Sequence, residues 1–202
     1  MNPYVAQILE KVLEHRNQIV NSCDLVTNGT IMFNDEILKI MEANKDIMRV
    51  IISDYGKGLS KKVGEIEKEV KKRGINYRIQ HYDVKAESWT YDGWVDFRDH
   101  TLKHDTEEKL IAQGKRCIFR IGHYWVINDG ELHPCSRQYW RMHNEIIEYD
   151  LSGFIDLNQD NLDVLAERQK LYVLENGPYL KSCAYCNGCY AGIKRHRPAE
   201  QL

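Results

Sequence analysis

The 202 residues of this chain are enough to bury a sizeable core, in one domain or one and a half. A hydrophobic content of 43% and a charged content of 29% are ordinary for a globular protein, and a net charge of −2 gives no electrostatic case for nucleic acid or an anionic membrane as partner. No apolar run is long enough to span a bilayer, and residues 1–5 lack the basic start and apolar stretch of a signal peptide, so the expected location is the cytoplasm.

The first eighty or so residues alternate helix and strand. Asn2 and Pro3 suit a helix start, and Val5, Ile8, Leu9, Val12 and Leu13 follow on one helical face. A short strand, Asp24-Leu25-Val26-Thr27, ends at the turn Asn28-Gly29. Asn34 is placed to cap a second helix carrying Ile37, Leu38, Ile40 and Met41. The continuously apolar run Val50-Ile51-Ile52 predicts a strand buried on both faces. Ser60 is the expected cap of a third helix with Val63, Ile66 and Val70 inward, stopped by Gly74; Ile75, Tyr77 and Ile79 then alternate as a strand. This alternation predicts βα units on a parallel sheet with one edge left open, an incomplete (β/α) barrel of about three strands over residues 1–114.

Residues 89–94 read as a loop with aromatic anchors, and 101–112 as a short polar helix. From residue 115 onward a small α+β domain is expected. Its clearest signal is the β-hairpin around Asp129-Gly130, with residues 123–127 leading in and Glu131-Leu132-His133 leading out. Residues 161–174 predict an amphipathic helix that turns Leu162, Val164, Leu165 and Leu171 inward. Lys194-Arg195-His196-Arg197 reads as a solvated basic end.

Cys23 stands alone, whereas Cys117, Cys135, Cys183, Cys186 and Cys189 fall in the second half. Clustered thiols in a reducing compartment favour metal over disulfide. Cys117 and Cys135 flank the predicted hairpin, whose antiparallel strands bring its ends together. Cys183-Ala184-Tyr185-Cys186 adds a Cys-x-x-Cys pair, and Cys189 follows. Four converging thiolates of these five suit zinc or an iron–sulfur cluster, and spacing alone does not choose.

Three stretches together resemble the radical S-adenosylmethionine (SAM) superfamily. Leu25-Val26-Thr27-Asn28-Gly29-Thr30 is similar to a strand end found in many of its partial barrels. Val50-Ile51-Ile52-Ser53-Asp54-Tyr55-Gly56 is similar to the next strand, whose Ser and Asp-containing turn lie beside SAM in the family. Cys117, then Gly130 separated by four residues from Cys135, then Cys183-x-x-Cys186, resemble the family's SPASM and twitch extensions, the twitch form carrying one auxiliary [4Fe–4S] cluster. The resemblance implies Cys117, Cys135, Cys183 and Cys186 as ligands, with Cys189 spare or replacing one of the pair, and Asn28, Ser53 and Asp54 on the SAM side of the barrel. It favours iron–sulfur over zinc. The chain departs from the family in having no Cys-x-x-x-Cys-x-x-Cys loop, so the expectation is the rear part of such an enzyme, unable to cleave SAM without the missing strands. A partner chain supplying those strands and a small-molecule or peptide substrate are the implied partners.

Two rivals keep the same thiolates: a non-enzymatic zinc-stapled module, and an iron–sulfur subunit of a split enzyme. Asn28, Ser53 and Asp54 equally suit ordinary turns. His133, beside Pro134-Cys135, is a candidate hydrogen-bond donor near the metal, and Arg120, Arg137 and Arg141 are candidate counter-charges. Trp125, Tyr139 and Trp140 are expected in a small core beneath the cysteine loop.

Overall fold

The apolar run at 50–52 becomes the centre of a three-stranded parallel sheet in the order β1–β2–β3, where β1 is Cys23–Thr27, β2 Met48–Asp54 and β3 Asn76–His81. Val50 pairs with Leu25 on one side and Tyr77 on the other. A strand bonded on both edges and covered on both faces keeps no side chain for water, and Val50, Ile51 and Ile52 are all buried. Helices α1 (Val5–Leu13), α2 (Asp35–Ala43) and α3 (Val63–Lys72) bring Leu9, Ile37, Met41, Ile66 and Val70 into the same core.

The computed structural model describes residues 2–82, 94–95, 99–193 and 195–196, with side chains omitted at 94, 195 and 196. The expected aromatic loop at 89–94 therefore lies outside the described residues apart from the backbone of Trp94, as do Lys194 and Arg197 of the basic end. The described residues form two compact units: 2–82, 94 and 195–196 in one, and 95 and 99–193 in the other. Residues 99–114, read with the first half on sequence, group with the second unit. The fold is mixed α/β, parallel in the first unit and antiparallel in the second, with no closed barrel among the described residues. No described helix is long and apolar enough to cross a membrane.

Local chemistry explains most of the boundaries. Asn34 accepts a hydrogen bond from the Ile37 backbone N–H at 2.9 Å and so satisfies one of the unpaired donors at the start of α2. Asn34→Ala is expected to cost about 1 kcal/mol, read as a lower midpoint in urea denaturation. Ser60, in contrast, caps nothing. It is buried, its hydroxyl donates to the Asn28 carbonyl at 2.7 Å and accepts from the Tyr55 N–H at 2.8 Å, and α3 starts after Lys62. A hydroxyl that ties two strand ends together is in the wrong place to cap a helix. On α1 the buried stripe is Ala6 and Leu9, while Ile8 and Val12 are exposed; five apolar residues span more of the helix than its neighbours cover.

In the second unit the hairpin forms as its turn dictates. Strands β4 (Val126–Asn128) and β5 (Glu131–His133) pair with Asn128 opposite Glu131, and Asp129 and Gly130 both take positive φ, 49° and 79°. Two left-handed residues give the turn whose twist matches the strands. A third strand, β6 (Ile155–Asp156), lies antiparallel to β5. The helices of this unit are α4 (Glu107–Arg116), α5 (Ile118–Ile121), α6 (Ser136–His143) and α7 (Val164–Asn176). The polar helix begins later than expected, because Thr106 accepts from the Lys109 N–H and fixes the start of α4. Helix α7 is not amphipathic: none of its residues is buried, and Val164, Leu165, Tyr172 and Val173 are exposed. Trp140 is also largely exposed, stacked on His100 with ring centroids 4.8 Å apart, rather than part of a core beneath the cysteines.

Candidate metal centre

The five second-half cysteines are all free thiols and all buried, and they come from several separate pieces of local structure. Cys117 ends α4 and precedes α5. Cys135 follows β5 and stands immediately before α6. Cys183 lies in a 3-10 turn over Lys181–Tyr185, and Cys186 closes that turn. The hairpin thus delivers Cys135 directly, but Cys117 arrives from the α4–α5 corner and not from the entry strand. Cys117 is brought in by neighbouring backbone, where the Ile118 N–H donates to the Cys189 carbonyl at 2.8 Å.

Electrostatics tie four of these thiols together. Burial pushes the Cys183 thiol up to about 11, and the neighbouring Cys135, Cys186 and Cys117 push it the same way, while a hydrogen bond from the Leu180 backbone opposes them. Mutual influence of this kind requires proximity in a poorly solvated place. The surroundings fit: Cys135, Leu180 and Cys183 form an apolar nucleus, with Leu110, Leu174 and Tyr179 packed against it. Two backbone N–H groups aim at sulfur, Leu180 at Cys183 Sγ (3.5 Å) and Gly188 at Cys186 Sγ (3.3 Å). Such donors stabilise thiolates and tune a bound metal. Among the described residues, however, no group of three or more His, Cys, Asp or Glu side chains is arranged to hold a metal ion. The thiols are gathered without being drawn onto a single point.

The turn that carries Cys183 and Cys186 is held by its carbonyls from several directions. The Lys103 and His104 N–H groups donate to Ala184 O at 2.8 and 3.0 Å, and His104 Nε2 lies 3.1 Å from Cys186 O. Arg141 donates to Ser182 O and Tyr185 O. Gly188 adopts φ +82°, a left-handed conformation that favours glycine, and a Cβ there would also displace the end of the Gln113 side chain. Lys181 leaves the turn to meet Asp150 at 2.6 Å.

Lys181 and Ser152 hold the Asp150 carboxyl down at about 2. A depressed folded value means that the stabilisation is complete above the ordinary carboxylate range near ~4 and is lost as pH falls through the folded value. The expected result is that Asp150→Asn lowers the melting temperature at neutral pH, and that the gap to the unaltered chain closes between about pH 4 and about pH 2.

His133 is fully buried, but its Nε2 is committed to Glu131 Oε2 at 2.8 Å rather than to sulfur, and its Nδ1 has no partner among the described residues. His143 Nε2 joins the same oxygen at 3.0 Å, and Tyr149 donates to Glu131 Oε1 at 2.5 Å. Burial pushes the Glu131 carboxyl up, yet these three hydrogen bonds outweigh it and leave the group below its ordinary value. No sequence pattern signals this network, because its members are scattered over β5, α6 and the loop after it.

The first unit brings the other three candidates to the carboxyl ends of its strands, where ligands bind in parallel sheets. Two clefts lie there. Asn28 and Ser53, with Thr27 and Tyr55, line a cleft of about 450 Å³, while Asp54, with Lys57 and His81, lines a second of about 390 Å³. Adjacent residues of a strand face opposite ways, which fits Ser53 and Asp54 lining different clefts. Asn28 and Asp54 are also engaged locally. Asn28 Oδ1 accepts from the Thr30 hydroxyl, and Asp54 meets His81 Nδ1 at 3.0 Å and the Gly56 N–H at 2.9 Å. Cys23, in β1, packs against the core of this unit, and burial raises its thiol above the ordinary value. No known protein family matches the chain, and no curated protein matches it.

Proposed function

We propose that the second unit is a twitch-like auxiliary domain of the radical SAM superfamily, holding one [4Fe–4S] cluster through Cys117, Cys135, Cys183 and Cys186. The observation that carries this reading is the shared electrostatic field at Cys183, to which Cys135, Cys186 and Cys117 all contribute inside an apolar pocket with N–H donors aimed at two of the sulfurs. The Cys183 thiol, held at about 11, is protonated at neutral pH, and a metal bound among its cysteine neighbours would displace that proton. The Cys189 backbone braces Cys117 through Ile118, and its thiol is the spare.

On the same reading the first unit is part of a (β/α) barrel, supported by its three parallel strands under helices and by a cleft at the strand ends bearing Asn28 and Ser53. The 202 residues hold no Cys-x-x-x-Cys-x-x-Cys segment, so on this reading cleavage of SAM depends on that loop and further strands supplied from outside these residues, by another part of a longer protein or by a partner chain. When bound, the auxiliary cluster supplies one-electron chemistry or a point of attachment for a small-molecule or peptide substrate.

The test is anaerobic reconstitution of the full chain with ferrous iron and sulfide. A brown protein with broad thiolate-to-iron absorption is expected, and a chain that stays colourless contradicts the reading.

A further inference from the structure

Arg141 is the most deeply buried charge among the described residues, about 1% exposed, and no carboxylate among those residues is paired with it. Its Nη1 donates to Ser182 O at 2.9 Å, its Nη2 to Tyr185 O at 3.0 Å, and its Nε approaches His100 Nδ1 at 3.4 Å. These partners are two carbonyls and an imidazole, and none is a carboxylate. Burying a guanidinium costs several kcal/mol unless an anion compensates it. Two further arginines near the cysteines make contacts of other kinds. Arg120 donates to the Leu174, Glu175 and Gly177 carbonyls at the end of α7, where the helix presents partial negative charge. Arg137 lies over the Phe119 ring, 4.5 Å from its centroid.

The two carbonyls that Arg141 grips belong to the residues immediately before Cys183 and immediately before Cys186. Its planar fork therefore fixes both ends of the turn that presents these two sulfurs, and its charge is buried beside that turn. We infer that Arg141 is the positioning residue and buried counter-charge of the thiolate centre, holding the Cys183–Cys186 turn and offsetting the net negative charge of a cluster on four thiolates. This rests on the iron–sulfur reading proposed above. A fixed positive charge favours the more negative, reduced form of the cluster, so its removal makes the centre harder to reduce.

The experiment compares the full chain with Arg141→Lys and Arg141→Gln after anaerobic reconstitution with iron and sulfide. Iron loss to a chelator and the midpoint potential, followed by electron paramagnetic resonance, are the readouts. Both variants are expected to lose iron roughly 10–100-fold more readily, as when groups orienting metal ligands are removed. Arg141→Gln is expected to shift the potential to a more negative value, and Arg141→Lys to restore most of that shift. An Arg141→Gln chain that loads fully at unchanged potential overturns the inference. If neither variant loads, metal-free chains that melt like the unaltered one support a positioning role, and metal-free chains that are unfolded overturn it. Failure of the unaltered chain to take up iron and sulfide is a separate result, which removes the cluster reading and this inference with it.

Discussion

Cys183→Ser is expected to abolish iron uptake, whereas Cys189→Ala leaves it intact. The two residues lie on one short segment and both are buried, so burial does not separate them. What separates them is company. Besides its burial, Cys183 feels Cys135, Cys186 and Cys117, while Cys189 accepts through its backbone the Ile118 N–H that sets Cys117 in place. Alanine keeps that carbonyl. Its cost is that of deleting one small buried group, about 1 kcal/mol, seen in thermal melting and not in iron content. Serine at 183 keeps the size but replaces a soft thiolate with a hydroxyl that ligates iron poorly and stays protonated at neutral pH. Iron per chain after reconstitution checks both, and equal iron in the two variants would remove the assignment of Cys189 as the spare thiol.

The second large effect is expected at Gly114→Ala, far from Cys183 in the sequence but decisive for its placement. A Cβ at residue 114 would overlap the Pro178 carbonyl oxygen and lie 3.1 Å from its carbon. Both sides of this contact are backbone, so no flexible side chain is present to yield. Helix α4 must back away from residues 178–179, which run directly into Leu180 and the turn bearing Cys183. Overpacking of this kind costs about 3 kcal/mol, or roughly 15 °C in melting temperature for a unit of this size. Iron affinity is expected to fall together with stability. Gly58→Ala is the control: nothing lies within 4 Å of its added Cβ, and no change or a slight gain is expected.

Legibility in the sequence follows how local the cause is. The hairpin is readable because Asp129-Gly130 needs only its own two left-handed residues, and α2 because Asn34 acts three residues away. Val50, Ile51 and Ile52 announce a central strand by composition. Ser60 misleads as a helix cap because its partners are Asn28 and Tyr55, one of them on another βα turn. The stripe expected on α7 fails because apolar spacing signals burial only where a neighbour exists to cover it, and α7 has no buried residue. The strand Ile155–Asp156 is two residues long and carries no periodicity to read.

The site divides in the same way. Five clustered thiols are legible as a metal signal from spacing alone. The way they meet is not, because Cys117 reaches the others through a helix corner and a backbone bond to Cys189. Asn28, Ser53 and Asp54 look like one strand-end set, but along β2 Ser53 and Asp54 line different clefts, Ser53 sharing one with Asn28. The buried charge of Arg141 and the Glu131 network depend on contacts across the unit that no local pattern encodes.

The measurement that bears most directly on the proposed iron–sulfur centre is iron, acid-labile sulfide and zinc content per chain after anaerobic expression and purification. The expected result is about four iron and four sulfide per chain with no zinc, as a single [4Fe–4S] cluster on four thiolates requires. One zinc per chain without sulfide would contradict it and identify the same four cysteines as a structural staple.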